Sequence, residues 1–240
     1  MEQPVPALRR AAGTALRGAH ALSTPRALLF DFNGTLSQDE PLLLGIYQRL
    51  FARYGRPLTE EQYYGQLAGL SEDAIIGGWL GVDGPLLGSL MAERIDGYAT
   101  VAADAATVTE EVRAAVRYAA VRVPVAIVSG AFRTEIEPVV AAAGLAEQIT
   151  AIVSADDVEH GKPHPEGYLR ALELLGLDAA DVVAFEDTEA GIAAAVEAGV
   201  RCIGVRGTLP DDRLAAADEL VDRIDAALIQ RLLADDHPAA

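Results

Sequence analysis

Residues 28–36 read LLFDFNGTL. An apolar run ends in Asp31, and the chain then turns at Gly34. Such a run suits a buried strand with one carboxylate held at its carboxyl end. Asn33, two residues on, poses the functional question, because an amide neither gives nor takes a proton near neutral pH.

Outward from this stretch the pattern repeats. Apolar runs rich in Val and Ile occur at 27–32, 123–128, 150–153, 182–185 and 201–205. They lack clean polar alternation, which is how strands buried on both faces read. Helical patterns at 131–144, 165–175 and 188–199 lie between the later runs. The alternation predicts an α/β fold, a Rossmann-like parallel sheet with helices on both faces. Residues 39–104 break the rhythm with helical stretches near 41–54, 59–68, 72–80 and 85–98 and no convincing strand. Thr59 with Gln62 reads as a capping box for the second of these. The expected organisation is an N-terminal extension over 1–25, a first core segment over 26–38, a helical lobe over 39–104 and the rest of the core over 105–240. The extension is rich in Ala and Arg and resembles a transit peptide, although a loosely docked helix or tail is the plainer reading.

Composition narrows the partners. The 240 residues suffice for one large domain, or a domain with an insertion, and 51% of them are hydrophobic. With 36 acidic against 19 basic residues the net charge is −17. That field repels phosphate backbones and anionic membranes, so neither nucleic acid nor membrane is expected as a partner. No apolar run approaches the ~18–20 residues of a membrane helix. Cys202 is the single cysteine. An intrachain disulfide is thereby excluded, which suits a reducing cytosol, and a cytoplasmic setting is expected. Lys162 is the one lysine beside eighteen arginines, which singles it out.

Four groups fall at strand ends: Asp31 after the first, Ser129 in VAIVSG after the second, Lys162 in EHGKPHPEG after the third, and Asp187 in VVAFEDTEAG after the fourth. Ligands of open α/β sheets bind in the crevice at the strands' carboxyl ends. Two carboxylates there can hold Mg²⁺. Lys162 and the Ser129 hydroxyl can bind phosphoryl oxygens, and backbone N–H groups at the Gly34 turn can add to the cradle. Asp31 could then attack phosphorus as a nucleophile. Each residue also has a plainer role: turn cap for Asp31, helix N-cap for Ser129 and for Glu186–Asp187, solvated loop residue for Lys162. His160 and His164 read as solvated loop histidines, since no third histidine or cysteine lies near them. Trp79, Tyr63 and Tyr64 read as packing within the helical lobe.

The segments DFNGT, VSG, GKPHPEGY and FEDTEAGIAAAVEAG, in this order and at strand ends, closely resemble the four motifs of the haloacid dehalogenase superfamily. The resemblance spans roughly residues 26–225, and the helical lobe resembles the α-helical cap of the branch that holds β-phosphoglucomutases and small-molecule phosphatases. It implies a hydrolase of a small phosphorylated metabolite, with Mg²⁺ as cofactor. It also implies Asp31 as nucleophile and metal ligand, Asn33 as metal ligand through its backbone carbonyl, and Asp187 as metal ligand with Glu186 nearby, serving the metal through water. Ser129, Gly130, Lys162 and the Gly34 turn would hold the phosphoryl group.

In phosphatases of this superfamily the position of Asn33 holds the general acid/base, so turnover is expected to fall while binding persists. Restoring the acid by Asn33→Asp should then raise activity. Dehalogenases need no acid at this step, so a 2-haloacid dehalogenase stays an alternative, as does a non-catalytic phosphate-binding or regulatory protein. Phosphonoacetaldehyde hydrolases need a cap lysine, and residues 39–104 contain none. The acidic loop AGLSED over 68–73 disfavours a mutase gripping a second phosphate.

Overall fold

The computed structural model describes residues 24–234, so the expected extension over 1–25 lies almost wholly outside the described residues. Six strands form one sheet: β1 (Ala27–Phe30), β2 (Val125–Val128), β3 (Ala151–Val153), β4 (Val182–Glu186), β5 (Arg201–Val205) and β6 (Glu219–Val221). Their order is β3-β2-β1-β4-β5-β6, and every pairing is parallel. The Rossmann-like expectation holds.

β1 occupies the centre, and Leu28, Leu29 and Phe30 are fully buried although successive side chains point to opposite faces. Both faces are therefore covered, at roughly 1.5–3 kcal/mol for each large side chain. Phe30 pairs in register with Phe185 of β4, and the rings stack with centroids 4.6 Å apart. This contact ties together the two strands that carry the carboxylates. The first run was expected to stay extended to residue 32, but β1 ends at Phe30. Asp31 keeps one bond to the neighbouring strand, from its N–H to the Phe185 carbonyl at 3.0 Å.

Four helices fill the stretch expected to be the helical lobe: α1 (Glu40–Arg53), α2 (Glu60–Gln62), which continues as a π-helical turn over Tyr63–Leu67, α3 (Glu72–Leu80) and α4 (Gly84–Val101). The Thr59–Gln62 capping box is present in both directions. Trp79 stacks on Phe51 and donates to the Arg56 carbonyl, and Tyr63 packs against Tyr47 and Tyr64, so these aromatics do pack the lobe.

The remaining α-helices among the described residues are α5 (Glu110–Ala120), α6 (Arg133–Ala142), α7 (Glu166–Leu175), α8 (Glu189–Glu197) and α9 (Ala226–Leu233). α7 and α8 touch each other and the sheet, while α5 packs on β2 and pairs with α9. α5, β6 and α9 were not among the sequence expectations. β6 is three residues long and half-buried, too short for a periodic signal. Among the described residues no single helix is long and apolar enough to cross a membrane.

Candidate active site

The sheet order brings the carboxyl ends of β2, β1 and β4 side by side, and the expected groups meet there. Lys162, from the loop after β3, places Nζ 2.5 Å from Asp31 Oδ1, 2.6 Å from Glu186 Oε1 and 2.9 Å from the Val128 carbonyl. The lysine is thus no solvated loop residue. Burial works against its charge, yet the Asp31 and Glu186 carboxylates outweigh it and hold the ammonium above its usual range.

Asp31, Glu186 and Asp187 are buried and bring one oxygen each within 4.8 Å of one another. Three carboxylates against one lysine leave a formal charge of −2. Burial, then the nearby Asp31 and Glu186, push Asp187 well above the usual carboxylate range. Burial likewise raises Glu186 to about 7, against the pull of Lys162. Thr35 Oγ1 donates to Asp187 Oδ1 at 3.2 Å, but buried Asp187 Oδ2 has no hydrogen-bond partner. An all-oxygen cluster with excess negative charge and an orphaned carboxylate oxygen fits a hard divalent cation such as Mg²⁺.

Two glycines make room for this cluster. Gly34 has φ +72°, and a Cβ there would overlap Asp187 Oδ2. A Cβ at Gly191, in the first turn of α8, would overlap the Glu186 carboxylate. Glu186 Oε1 also accepts from Tyr168 Oη at 2.7 Å, which together with Lys162 fixes its orientation. The Thr188 side chain caps α8, accepting from Gly191 N at 3.2 Å, so neither Glu186 nor Asp187 is spent as the cap.

Ser129 is buried beside this cluster, and its Oγ accepts from Ala131 N at 3.1 Å. It closes a turn and is not the N-cap of α6, which starts only at Arg133. Ser129 and Gly130 line a cavity of about 250 Å³ that also meets Asp31, Asn33 and Lys162.

Several residues of the site carried no sequence expectation. Asn33 Nδ2 donates to Asp39 Oδ2 at 2.9 Å, and Gly34 N donates to Asp39 Oδ1 at 3.2 Å. Tyr98 Oη, from α4, donates to the same carboxylate. Burial raises Asp39 to about 6, and these hydrogen bonds limit the rise. Its neighbour Glu40 lines the cavity and accepts from Tyr63 Oη at 2.9 Å. Burial raises Glu40 to about 7, and the charges of Asp39 and Asp31 add to the rise.

On the helical side, buried Arg94 of α4 pairs with Glu72 of α3 and with Glu135 of α6. Tyr47 Oη donates to Glu72 at 2.6 Å. The acidity of the 68–73 loop is therefore partly neutralised by an arginine that is distant in sequence. Arg94 Nε and Glu72 Oε2 remain buried without partners.

The family model for haloacid dehalogenase-like hydrolases matches residues 25–199. The chain belongs to this family of hydrolases. It is 31% identical over 198 residues to validoxylamine A 7'-phosphate phosphatase of Streptomyces hygroscopicus subsp. limoneus, covering 82% of this chain and 92% of that protein. It is 30% identical to the phosphorylated carbohydrates phosphatase of Thermotoga maritima, over 78% of this chain and 88% of the relative. Among solved structures it resembles CbbY from Rhodobacter sphaeroides, in complex with xylulose-(1,5)bisphosphate, with a TM-score of 0.76 and 26% identity. That match covers 85% of this chain and 96% of CbbY.

Proposed function

We propose that this hydrolase is a Mg²⁺-dependent phosphatase of a small phosphorylated metabolite, acting through an aspartyl-phosphate on Asp31. One observation carries the reading: Lys162 bridges Asp31 and Glu186 while the buried Asp187 Oδ2 lacks a partner. This arrangement calls for a cation beside a nucleophile and a positive charge at the same place, which is what transfer of an anionic phosphoryl group requires. A haloacid dehalogenase would have no use for the cation-demanding part.

Asp31 would attack phosphorus and the ester P–O bond would break, the leaving oxygen taking a proton. Water would then attack the aspartyl-phosphate, releasing phosphate and restoring the carboxylate. Asp31, Asp187 and the backbone carbonyl of Asn33 would hold the metal, with Glu186 orienting Lys162 beside it. When bound, Mg²⁺ supplies Lewis-acid stabilisation of the phosphoryl oxygens. Ser129, Gly130 and the Gly34 turn would cradle those oxygens.

Asn33 cannot supply the leaving-group proton. We assign that role to Glu40, which lines the same cavity as Asp31 and is oriented by Tyr63. The helices α1 to α4 would act as a cap over the substrate. The basic residues of the cavity wall, histidines aside, are Lys162 and Arg94, and Arg94 is already held by two glutamates. A monophosphate with hydroxyl groups fits better than a bisphosphate, as the two phosphatase relatives also suggest. Buried, unpaired Cys202 accords with a cytoplasmic setting.

The test is phosphate release from a panel of sugar, polyol, glycolate and nucleotide monophosphates, with and without Mg²⁺. We expect release that needs Mg²⁺ and disappears in Asp31→Asn. Halide release from a 2-haloacid, with no phosphate released from any ester, would overturn the reading.

A further inference from the structure

The GKPHPEG loop holds a second cluster, apart from the carboxylates although its histidines line the same cavity. His160 and His164 flank Lys162, and both rings are exposed, at 62% and 50% of their side-chain surface. Glu166, the first residue of α7, lies between them. Its Oε2 is 2.9 Å from His160 Nδ1 and 3.8 Å from His164 Nδ1. One donor atom from each of the three lies within 4.8 Å of the others. The two rings lie side by side, with centroids 4.7 Å apart.

These spacings suit a transition metal. Tetrahedral bonds of ~2.0–2.1 Å put neighbouring ligand atoms about 3.3 Å apart. The two Glu166–histidine separations straddle that value, and all three donor atoms lie within 4.8 Å of one another in exposed or half-buried side chains. Glu166 is already fixed: its two oxygens accept from the backbone N–H groups of Glu159 at 2.8 Å and His160 at 3.0 Å. The bonds the rings would surrender are few: His160 Nδ1 to Glu166, and a 3.3 Å contact from Glu166 N to His164 Nδ1. Two imidazoles and one carboxylate with an open fourth position favour Zn²⁺, Co²⁺ or Ni²⁺ over Mg²⁺, which prefers an all-oxygen shell.

We propose that His160, His164 and Glu166 form a separate site for a first-row transition-metal ion, clamping the loop that presents Lys162. The ion would tie the residues two before and two after the lysine to the start of α7. Lys162 is the cation between Asp31 and Glu186, so occupancy of this site bears on the reaction centre through the loop backbone.

Co²⁺ tests this without reference to activity. It would be titrated into the tag-free full chain under saturating Mg²⁺, following visible absorption and stoichiometry. We expect one Co²⁺ with an imidazole-ligated spectrum in the wild type and in Asp187→Asn, and its loss in His160→Ala and in His164→Ala. Circular dichroism would establish that each variant is folded. An unchanged Co²⁺ band and stoichiometry in both histidine variants would overturn the site, as would loss of the ion in folded Asp187→Asn. A chain that binds Co²⁺ in this way but releases no phosphate would sink the phosphatase reading alone.

Discussion

Asn33 Nδ2 donates a hydrogen bond of 2.9 Å to Asp39 Oδ2, and Asp39 is wholly buried behind it. The position that holds an acid in related phosphatases thus carries the amide, and its partner six residues on carries the carboxylate. An amide–carboxylate pair is satisfied in this geometry, whereas two ionised carboxylates at this distance would repel in a poorly solvated place.

Asn33→Asp alone is therefore expected to bring instability as well as an acid. The folded-state pKa of Asp39, about 6, lies above its ordinary 3.8, so its contribution to stability is full below 3.8 and is lost as pH rises through 6. A carboxyl group at 33 extends that loss to higher pH. In metal-free buffer the melting temperature of Asn33→Asp should match wild type near pH 5, where the pair shares a proton, and fall below it at pH 8. Equal melting at both pH values would show that the side chains separate.

The exchange Asn33→Asp with Asp39→Asn keeps one amide and one carboxylate and moves the carboxylate to the cavity side. Because Glu40 already serves the alkyl leaving group, the exchange should speed alkyl phosphates by far less than the ~10²–10⁴ worth of a general acid. Steady-state rates on one alkyl ester, for wild type, single and double variants, decide it; a double variant faster by that full factor would show that wild type lacks an acid and would overturn the assignment to Glu40.

Glu40→Gln should slow alkyl phosphates far more than aryl phosphates, whose leaving groups need no proton. Wild-type turnover of alkyl esters should also fall as pH rises past about 7, where Glu40 loses its proton. A flat leaving-group dependence in Glu40→Gln, with chemistry rate-limiting, would assign the proton elsewhere.

Lys162→Ala should weaken phosphate binding and turnover together, because its charge serves the ground state and the transition state. Lys162→Arg should rescue only in part, since a planar guanidinium cannot reproduce a compact ammonium held by Asp31, Glu186 and the Val128 carbonyl. Phosphate affinity and kcat measured on both variants check this.

Arg94→Met strands Glu72 and Glu135 as buried, unpaired charges, at a cost on the order of 3–5 kcal/mol. Adding Glu72→Gln and Glu135→Gln should recover much of it. Urea denaturation of the single and triple variants gives the comparison, and a single variant as stable as wild type would show that the pair is dispensable.

The local sequence determined the sheet and the residues at its strand ends. Runs such as VAIV at 125–128 and VVAF at 182–185 are apolar on both faces, and a strand with that pattern has to be buried between helices. Asp31 and Ser129 follow such runs directly, Asp187 follows Glu186 at the end of β4, and Lys162 lies in the loop after β3, so strand direction alone sends them to one edge of the sheet. Tertiary structure decided everything that depends on partners far apart in the chain. Asp39 and Glu40 read as the opening of a helical lobe, and only folding sets Tyr98, 59 residues away, on Asp39 and Tyr63 on Glu40. The acidic loop over 68–73 reads as repulsive until Arg94 arrives between Glu72 and Glu135. Hydrophobic periodicity is a short-range signal that reports burial, whereas charge compensation is a pairwise distance, and no local pattern records which distant side chain will supply it.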